Sequence, residues 1–196
     1  KNVNVGNAPV NAMRVNFVGE LGWELHHPVE YQNHIFDQLM EAGKEFSLKP
    51  YGIRAMNSLR VEKSYKLVGT ELSIEYSPYE SGLDRFVHPN KGDFIGRAAL
   101  DKWRAKGFSN KLVTMEIHGV TNADVLGNNP IYDNGSVIGR ATSGDFGFRL
   151  NKSIALGMVK PEFAEVGQKL KIDILGKMHE ASIVEESPYD AENKLI

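Results

Sequence analysis

The sequence predicts an α+β fold that is followed by a compact β-barrel or jelly-roll module. Up to Gly107, apolar residues recur both at helical spacing and in strand-like alternation, whereas beyond it short alternating runs are separated by turn signals. With 196 residues, of which 41% are hydrophobic, the chain can bury the core of one large or two small domains. We therefore predict an α+β part over residues 1–107 and a C-terminal β-barrel domain over residues 108–196.

The first element is predicted to be a strand hairpin. Apolar residues alternate with polar ones over Ala12–Val18, which is the period of a half-buried strand. The glycines of Gly19–Gly22 indicate a turn, and Trp23–His26 is then interpreted as the returning strand. Because neighbouring side chains of a strand point to opposite faces, Glu24 is placed opposite its two apolar neighbours.

Three helices are predicted in the α+β part, each from apolar residues at helical spacing. They cover residues 28–43, 53–63 and 97–106. Residues 67–90 show no sustained period and are interpreted as a loop with one short strand over residues 85–87.

The β-barrel part is predicted from alternating runs and one strong hairpin signal. The segment Asp133–Gly135 reads Asp-Asn-Gly, which is typical of a tight hairpin turn. Short strands joined by such turns are typical of closed or two-layered antiparallel modules. The predicted strands are residues 111–117, 137–142, 154–159, 170–174 and 181–184.

Composition excludes several classes of function. Lys and Arg number 23 against 25 Asp and Glu, so the net charge of −2 lacks the basic field of a nucleic-acid-binding protein. The absence of cysteine excludes disulfides, thiol nucleophiles and Cys-ligated metals. No apolar run reaches the roughly 18–20 residues that a membrane span needs. We expect no nucleic-acid partner, no membrane partner and a reducing compartment, the cytoplasm.

Familiar catalytic and metal-binding motifs are missing from the sequence. It contains no G-x-S-x-G, G-x-G-x-x-G, G-x-x-x-x-G-K-[ST] or H-E-x-x-H pattern. The neighbouring His26 and His27 would point to opposite faces of a strand and could not share a metal. We predict no catalytic residue and no metal site in this chain.

A group of cations leaves two alternatives open. Arg54, Arg60, Lys63 and Lys66 concentrate positive charge in and after the second predicted helix. They form either a solvated face with Glu62 as a partner or an anion-binding wall.

Glu24 is the most unusual single residue. A carboxylate between Trp23 and Leu25, beside a glycine turn, is either a solvent-facing strand residue or an anchor for a ligand with paired N–H donors. Composition alone does not choose between these alternatives.

Several stretches, in order along the chain, carry a resemblance to one family. Residues 13–24, MRVNFVGELGWE, resemble the R-x-x-[YF]-x-G-E-x-G-[WYF]-E strand pair of the folate-binding aminomethyltransferases, whose best-known member is the glycine cleavage T-protein. Residues 55–65, AMNSLRVEKSY, resemble their A-x-[DN]-S-L-R-x-E segment, with an ending similar to the branch fused to dimethylglycine and sarcosine dehydrogenases. Further stretches similar to that branch are residues 79–83, 91–100, 141–144 and 154–157.

The resemblance implies the later part of a T-protein-like folate-binding fold with tetrahydrofolate as the cofactor. It places the pteridine-binding glutamate of the family at Glu24, whose two oxygens can accept from adjacent N–H donors. The family's aspartate near the reactive folate nitrogens, and the FAD domain of the dehydrogenase branch, would lie upstream of Lys1. FAD is expected only if such an upstream domain exists, and this chain alone is expected to be inactive.

Two further folate contacts follow from the resemblance. The T-protein arginine just before the [DN]-S-L-R stretch falls on Met56, and Arg54 lies two residues earlier. The terminal tyrosine of T-proteins has no direct counterpart, but Tyr189 is near it in register. Arg54 and Tyr189 therefore join Glu24 as candidate folate-binding residues.

Together these features predict the tetrahydrofolate-binding portion of a one-carbon transfer enzyme, similar to the folate module of dimethylglycine or sarcosine dehydrogenases. Its small-molecule partners would be folate and an aminomethyl or iminium donor. The alternatives are a stand-alone glycine cleavage aminomethyltransferase, a folate-dependent demethylase and a non-catalytic folate-binding protein. Members of the last class carry a K-G-C-[YF]-x-G-Q motif, in which Asp93 stands here in place of the cysteine.

Overall fold

The computed structural model of the protein describes residues 1–120 and 123–195. Within the predicted 108–196 domain, residues 121–122 and 196 therefore lie outside the described part.

A three-stranded antiparallel sheet and one helix form the N-terminal layer. The elements are β1 (Asn2–Val5), β2 (Ala8–Met13), β3 (Glu24–His26) and α1 (Gln32–Ala42). The strands pair in the order β1-β2-β3. Ala8 and Val10 of β2 form a small apolar core with Ile35 of α1, so that the helix covers one face of the sheet.

The predicted hairpin is displaced along the chain, and its buried face is reversed. The strand expected over Ala12–Val18 ends at Met13, which pairs with Glu24, and residues 14–23 form a long loop. The reason is that β1, which the prediction omitted, pairs with β2 and sets its orientation on α1. The even-numbered residues of β2 are consequently buried, whereas Met13 is 37% exposed.

The three predicted helices are confirmed with adjusted ends. The second, α2, spans Ile53–Val61, and the third, α3, spans Arg97–Lys106. The strand predicted over residues 85–87 is wrong, because residues 84–86 close a 3₁₀ turn through an i to i+3 hydrogen bond.

A closed six-stranded antiparallel barrel follows, which confirms the predicted β-barrel. Its strands are β4 (Lys111–Ile117), β5 (Pro130–Asp133), β6 (Ser136–Gly147), β7 (Lys152–Val159), β8 (Lys169–Ile174) and β9 (Lys177–Val184). They are ordered β4-β7-β6-β5-β8-β9, and β9 pairs back with β4, so no strand edge stays open. The predicted Asp-Asn-Gly turn joins β5 to β6, with Asn134 and Gly135 both at positive φ.

The linker between α3 and β4 is fastened by one buried carboxylate. Glu80 is 2% exposed, and its Oε1 accepts the backbone N–H groups of Ser109 and Asn110, each at 3.2 Å. Its Oε2 accepts from the N–H and the hydroxyl of Ser77, both at 2.9 Å. The backbone carbonyl of Glu80 accepts the N–H of Leu112 at 2.8 Å. The predicted domain boundary thus coincides with a tethered segment, and the division into two domains stays a prediction.

Replacing Glu80 with alanine should loosen this linker. Two linker N–H groups would lose a buried acceptor, so we expect the free energy of unfolding to fall by roughly 2–3 kcal/mol. We also expect faster limited proteolysis at residues 107–110. Urea unfolding and a proteolysis time course measure the two effects, with the exposed Glu162→Ala as the control. Equal cleavage rates in Glu80→Ala and the control would contradict the tethering role.

Candidate functional site

The junction cleft is a cavity of about 430 Å³ between the loop of residues 14–23, the segment of residues 63–85 that follows α2, and the C-terminal segment of residues 186–191. Its aromatic and charged lining side chains are Phe17, Tyr65, Lys63, Lys66, Arg85 and Glu186. A larger depression of about 660 Å³ over β1 and β2 has no ionisable side chain among its described lining residues. The junction cleft is therefore the better candidate for a polar ligand.

One wall of the junction cleft is aromatic. The rings of Phe17 and Tyr65 stack with centroids 6.2 Å apart and planes inclined by 27°. Aromatic side chains that line a cleft offer large apolar contact area to a ring ligand. Both residues lie in the sequence stretches that carried the family resemblance.

The cations of the junction cleft differ in how their charge is compensated. Lys66 Nζ donates to Glu186 Oε1 at 2.6 Å. Lys63 Nζ donates to two neutral acceptors, the carbonyl of Asp190 at 2.6 Å and Oδ1 of Asn193 at 2.8 Å. The cleft therefore carries an excess of positive charge.

The solvated-face alternative is wrong for three of the four cations, since the side chain of Lys66 is only 10% exposed and two others are fully buried. Arg60 is 1% exposed and Lys63 is 2% exposed. The guanidinium of Arg60 donates to Asn57 Oδ1 at 2.9 Å and to the carbonyl of Tyr65 at 3.0 Å. Packing of α2 against β6 removes this face from solvent, since Ser58 donates to a carbonyl of β6.

Arg60 also belongs to a buried ion pair with Glu71. Its Nη1 lies 3.8 Å from Glu71 Oε2. Burial alone would raise the pKa of Glu71, but hydrogen bonds from the hydroxyls of Ser143 and Thr70 and from the N–H of Leu67 hold that pKa below its usual value. Burial lowers the pKa of Arg60, and the negative charges of Glu71 and Asp145 oppose this shift. The guanidinium nevertheless stays protonated near neutral pH.

A second buried carboxylate joins the barrel to the loop and the C-terminal segment. Glu62 is fully buried and accepts from Nε of Arg149 and from the N–H groups of Arg149 and Leu150, the latter two at 2.8 and 3.0 Å. Arg149 Nη1 donates to Glu20 Oε1 at 2.6 Å, and its guanidinium lies 3.9 Å from the ring centroid of Tyr189. Burial opposes the charge of Arg149, but its contacts with Glu62 and Glu20 raise its pKa.

The three predicted folate contacts lie in different surroundings. The half-exposed carboxylate of Glu24 is 3.1 Å from His26 Nε2. Arg54 is 87% exposed and lies 3.4 Å from Asp124. The ring of Tyr189 is covered by the arginine described above. In the described part of the chain, no contact joins any two of these three, and none of them lines the junction cleft.

Asp124 is a neighbour of Arg54 that sequence reasoning missed. Burial raises the pKa of Asp124, the charge of Asp145 raises it further, and Arg54 opposes the shift. Because the guanidinium of Arg54 is largely exposed, it is free to contact a second anion.

The junction cleft itself was also missed. Its aromatic pair was visible as Phe17 at the [YF] position of the first motif and as Tyr65 at the end of the second. No local pattern could bring the two stretches together, because they meet only through the fold.

Family models match most of the chain. The model described as "GCVT N-terminal domain" matches residues 1–91, and the model described as "Glycine cleavage T-protein C-terminal barrel domain" matches residues 110–190. The chain belongs to the glycine cleavage T-protein family, as a module of the aminomethyltransferase type.

Two relatives indicate its place within that family. Mitochondrial dimethylglycine dehydrogenase of Homo sapiens is 40% identical over 187 residues, which are 95% of this chain and 22% of that protein. An aminomethyltransferase of Desulfitobacterium hafniense is 36% identical over 171 residues, which are 87% of this chain and 46% of that protein. The chain thus spans less than half of either of these relatives.

A solved structure supports the fold. The crystal structure of the glycine cleavage system aminomethyltransferase T from Bartonella henselae superposes with a TM-score of 0.82 at 24% identity, over 92% of this chain and 50% of that one. Within the described residues, no helix is long and apolar enough to cross a membrane.

Replacing Glu71 with glutamine tests the buried ion pair. Because folding lowers the pKa of Glu71, its ionised form stabilises the folded state above its ordinary pKa of about 4.3, and this contribution is lost as pH falls through the lowered value. At pH 7 we expect the variant to lose on the order of 3–5 kcal/mol of unfolding free energy, because Arg60 is left buried and unpaired. Urea unfolding between pH 7 and pH 3 measures this.

The exposed Glu75→Gln is the control for this experiment, since its side chain is 61% exposed. The stability difference between wild type and Glu71→Gln should shrink as the pH is lowered. A variant as stable as the wild type at pH 7 would contradict a stabilising role for the ion pair.

Proposed function

We propose that this chain is the tetrahydrofolate-binding portion of a one-carbon transfer enzyme, similar to the folate module of dimethylglycine or sarcosine dehydrogenases. Family membership and the 40% identity to a dimethylglycine dehydrogenase support the proposal. The structural observation that carries it is the junction cleft, which combines a stacked aromatic pair with an excess of cations.

The lining of the junction cleft fits a folate. A folate joins planar rings to a glutamyl tail that carries carboxylates, and the cleft offers two ring faces with three cations against one carboxylate. When bound, tetrahydrofolate supplies the nitrogen atoms that accept the one-carbon unit. The residues of the chain would hold the ligand in one orientation and exclude water from it.

The three sequence-predicted contacts do not line the junction cleft, so in this proposal each would contact a part of the ligand that extends beyond it. The half-exposed Glu24 carboxylate would accept hydrogen bonds from the ring N–H and amino groups of the pteridine. The exposed guanidinium of Arg54 would contact an anionic part of the ligand. Tyr189 would contribute through its hydroxyl, because its ring face already packs on a guanidinium.

The chemical step would depend on residues outside this chain. Glu186 is the one carboxylate among the described lining residues of the junction cleft, and it is paired with Lys66 and exposed, so it is not placed as an acid or base. FAD enters the proposal only through an upstream dehydrogenase domain. A stand-alone aminomethyltransferase is the second candidate, favoured by the 36% identity to the Desulfitobacterium enzyme. The cytoplasmic location stays a prediction.

Glu24→Gln tests the pteridine contact. Glutamine replaces one charged acceptor with a donor, so we expect the dissociation constant for tetrahydrofolate to rise at least about tenfold. Isothermal titration calorimetry should use the longest natural polypeptide that contains this chain, since the curated relatives are longer. Glu30→Gln, which changes an exposed carboxylate in the 3₁₀ turn before α1, is the control. An unchanged dissociation constant would refute the role of Glu24.

The separation of binding from chemistry can also be tested. We expect the purified 196-residue chain to produce no methylene-tetrahydrofolate when it is supplied with tetrahydrofolate and an aminomethyl donor. Product can be followed by chromatography against an enzyme-free control. Turnover above that control would show that an acid or base lies within this chain.

A further inference from the structure

We infer that Lys63 binds a carboxylate group of the ligand in the junction cleft. This inference rests on the proposed function and deepens it, because it assigns one chemical group of the ligand to one residue of the same cleft.

The charge of Lys63 is buried without a counter-charge. The residue is 2% exposed, and its ammonium donates to a backbone carbonyl and a side-chain amide oxygen, both neutral. Throughout residues 1–120 and 123–195, no Asp or Glu oxygen pairs with it within 4.0 Å. An ammonium has three donors, and a buried charge is costly unless it is paired. A carboxylate entering the cleft would supply both the third acceptor and the missing charge.

The other cations of the cleft are less suited to this role. Lys66 is already paired with Glu186 at 2.6 Å. Arg85 is exposed, so its charge is screened by solvent. The buried and uncompensated charge of Lys63 would therefore discriminate most strongly between a charged and a neutral ligand.

The side chain of Lys63 is held in place before any ligand binds. Its aliphatic stem passes so close to Gly19 that a Cβ at that position would overlap it, and Gly19 also adopts a φ of +69°. On the other side, the hydroxyl of Ser187 donates to the carbonyl of Lys63 at 2.6 Å. A preset ammonium loses little freedom on binding, which favours affinity.

Two sources could supply the carboxylate. One is the glutamyl tail of a folate, and the other is the carboxylate of an N-methylated amino acid such as dimethylglycine, which the name of the 40% identical relative includes. Both present the same planar anion to the ammonium.

Calorimetric titration of the longest natural polypeptide that contains this chain, as in the Glu24 experiment, distinguishes these sources. The ligands are two matched pairs: tetrahydrofolate with its neutral glutamyl diamide, and dimethylglycine with dimethylglycinamide. In at least one pair, the wild type should bind the acid at least about tenfold more tightly than the amide, since hydrogen bonds to charged groups exceed neutral ones.

Lys63→Met should abolish the preference for the acid. Lys49→Met is the control, because it removes an exposed lysine that does not line the cleft, and it should change the preference by less than about twofold. Lys63→Arg retains the charge and should keep the preference, whereas Lys63→Gln should lose it, like Lys63→Met. Circular dichroism establishes that each variant is folded. If one of the three Lys63 variants does not fold, the other two still test the inference.

The outcomes separate this inference from the proposed function. A Lys63-dependent preference in the folate pair supports both. Such a preference in the dimethylglycine pair alone, with no binding of either pteridine, supports the role of Lys63 and contradicts folate binding. Binding of tetrahydrofolate with a preference that survives Lys63→Met, or with none at all, overturns the role of Lys63 and leaves the proposed function standing. Failure of both acids to bind overturns the role of Lys63.

Discussion

The fully buried carboxylate of Glu62 is the interaction on which the arrangement of the junction depends. Its side-chain oxygens accept from Arg149 and from two backbone N–H groups at the turn between β6 and β7, and its own carbonyl accepts the N–H of Tyr189. A carboxylate removed from water must satisfy its lone pairs internally. This requirement brings the end of α2, the barrel and the C-terminal segment to one point.

The loop of residues 14–23 is joined to the same point. Glu20 in that loop pairs with Arg149, and the stem of Lys63 packs on Gly19. The junction cleft is therefore bounded by segments that are each anchored through buried charges. The shape of the junction cleft therefore depends on contacts between these segments, because each described wall is positioned by residues from another part of the chain.

Many residues of the family motifs serve this junction. In the AMNSLRVEKSY stretch, Asn57 and Ser58 bond to β6, and Ser64 bonds to Thr114 of β4 at 2.7 Å. The motif couples the α+β layer to the barrel, and the proposed ligand cleft lies beside this coupling. Polar contacts of this kind demand specific partners, which explains why such a stretch is recognisable in sequence.

The sequence by itself determined the α+β class, the three helices, five of the six described barrel strands, the Asp-Asn-Gly turn and the family, because periodicity, turn chemistry and motif spacing are local properties; it missed β5 (Pro130–Asp133). The tertiary structure alone decided the buried face of β2, the burial of Arg60 and Lys63, and the junction cleft. These depend on contacts between distant residues. The orientation of β2 came from its pairing with β1 and α1, and the acceptors of Lys63 lie 127 and 130 residues away along the chain. The sequence around a charged residue does not show whether its side chain faces water or a buried partner, because the partner is brought close only by the fold.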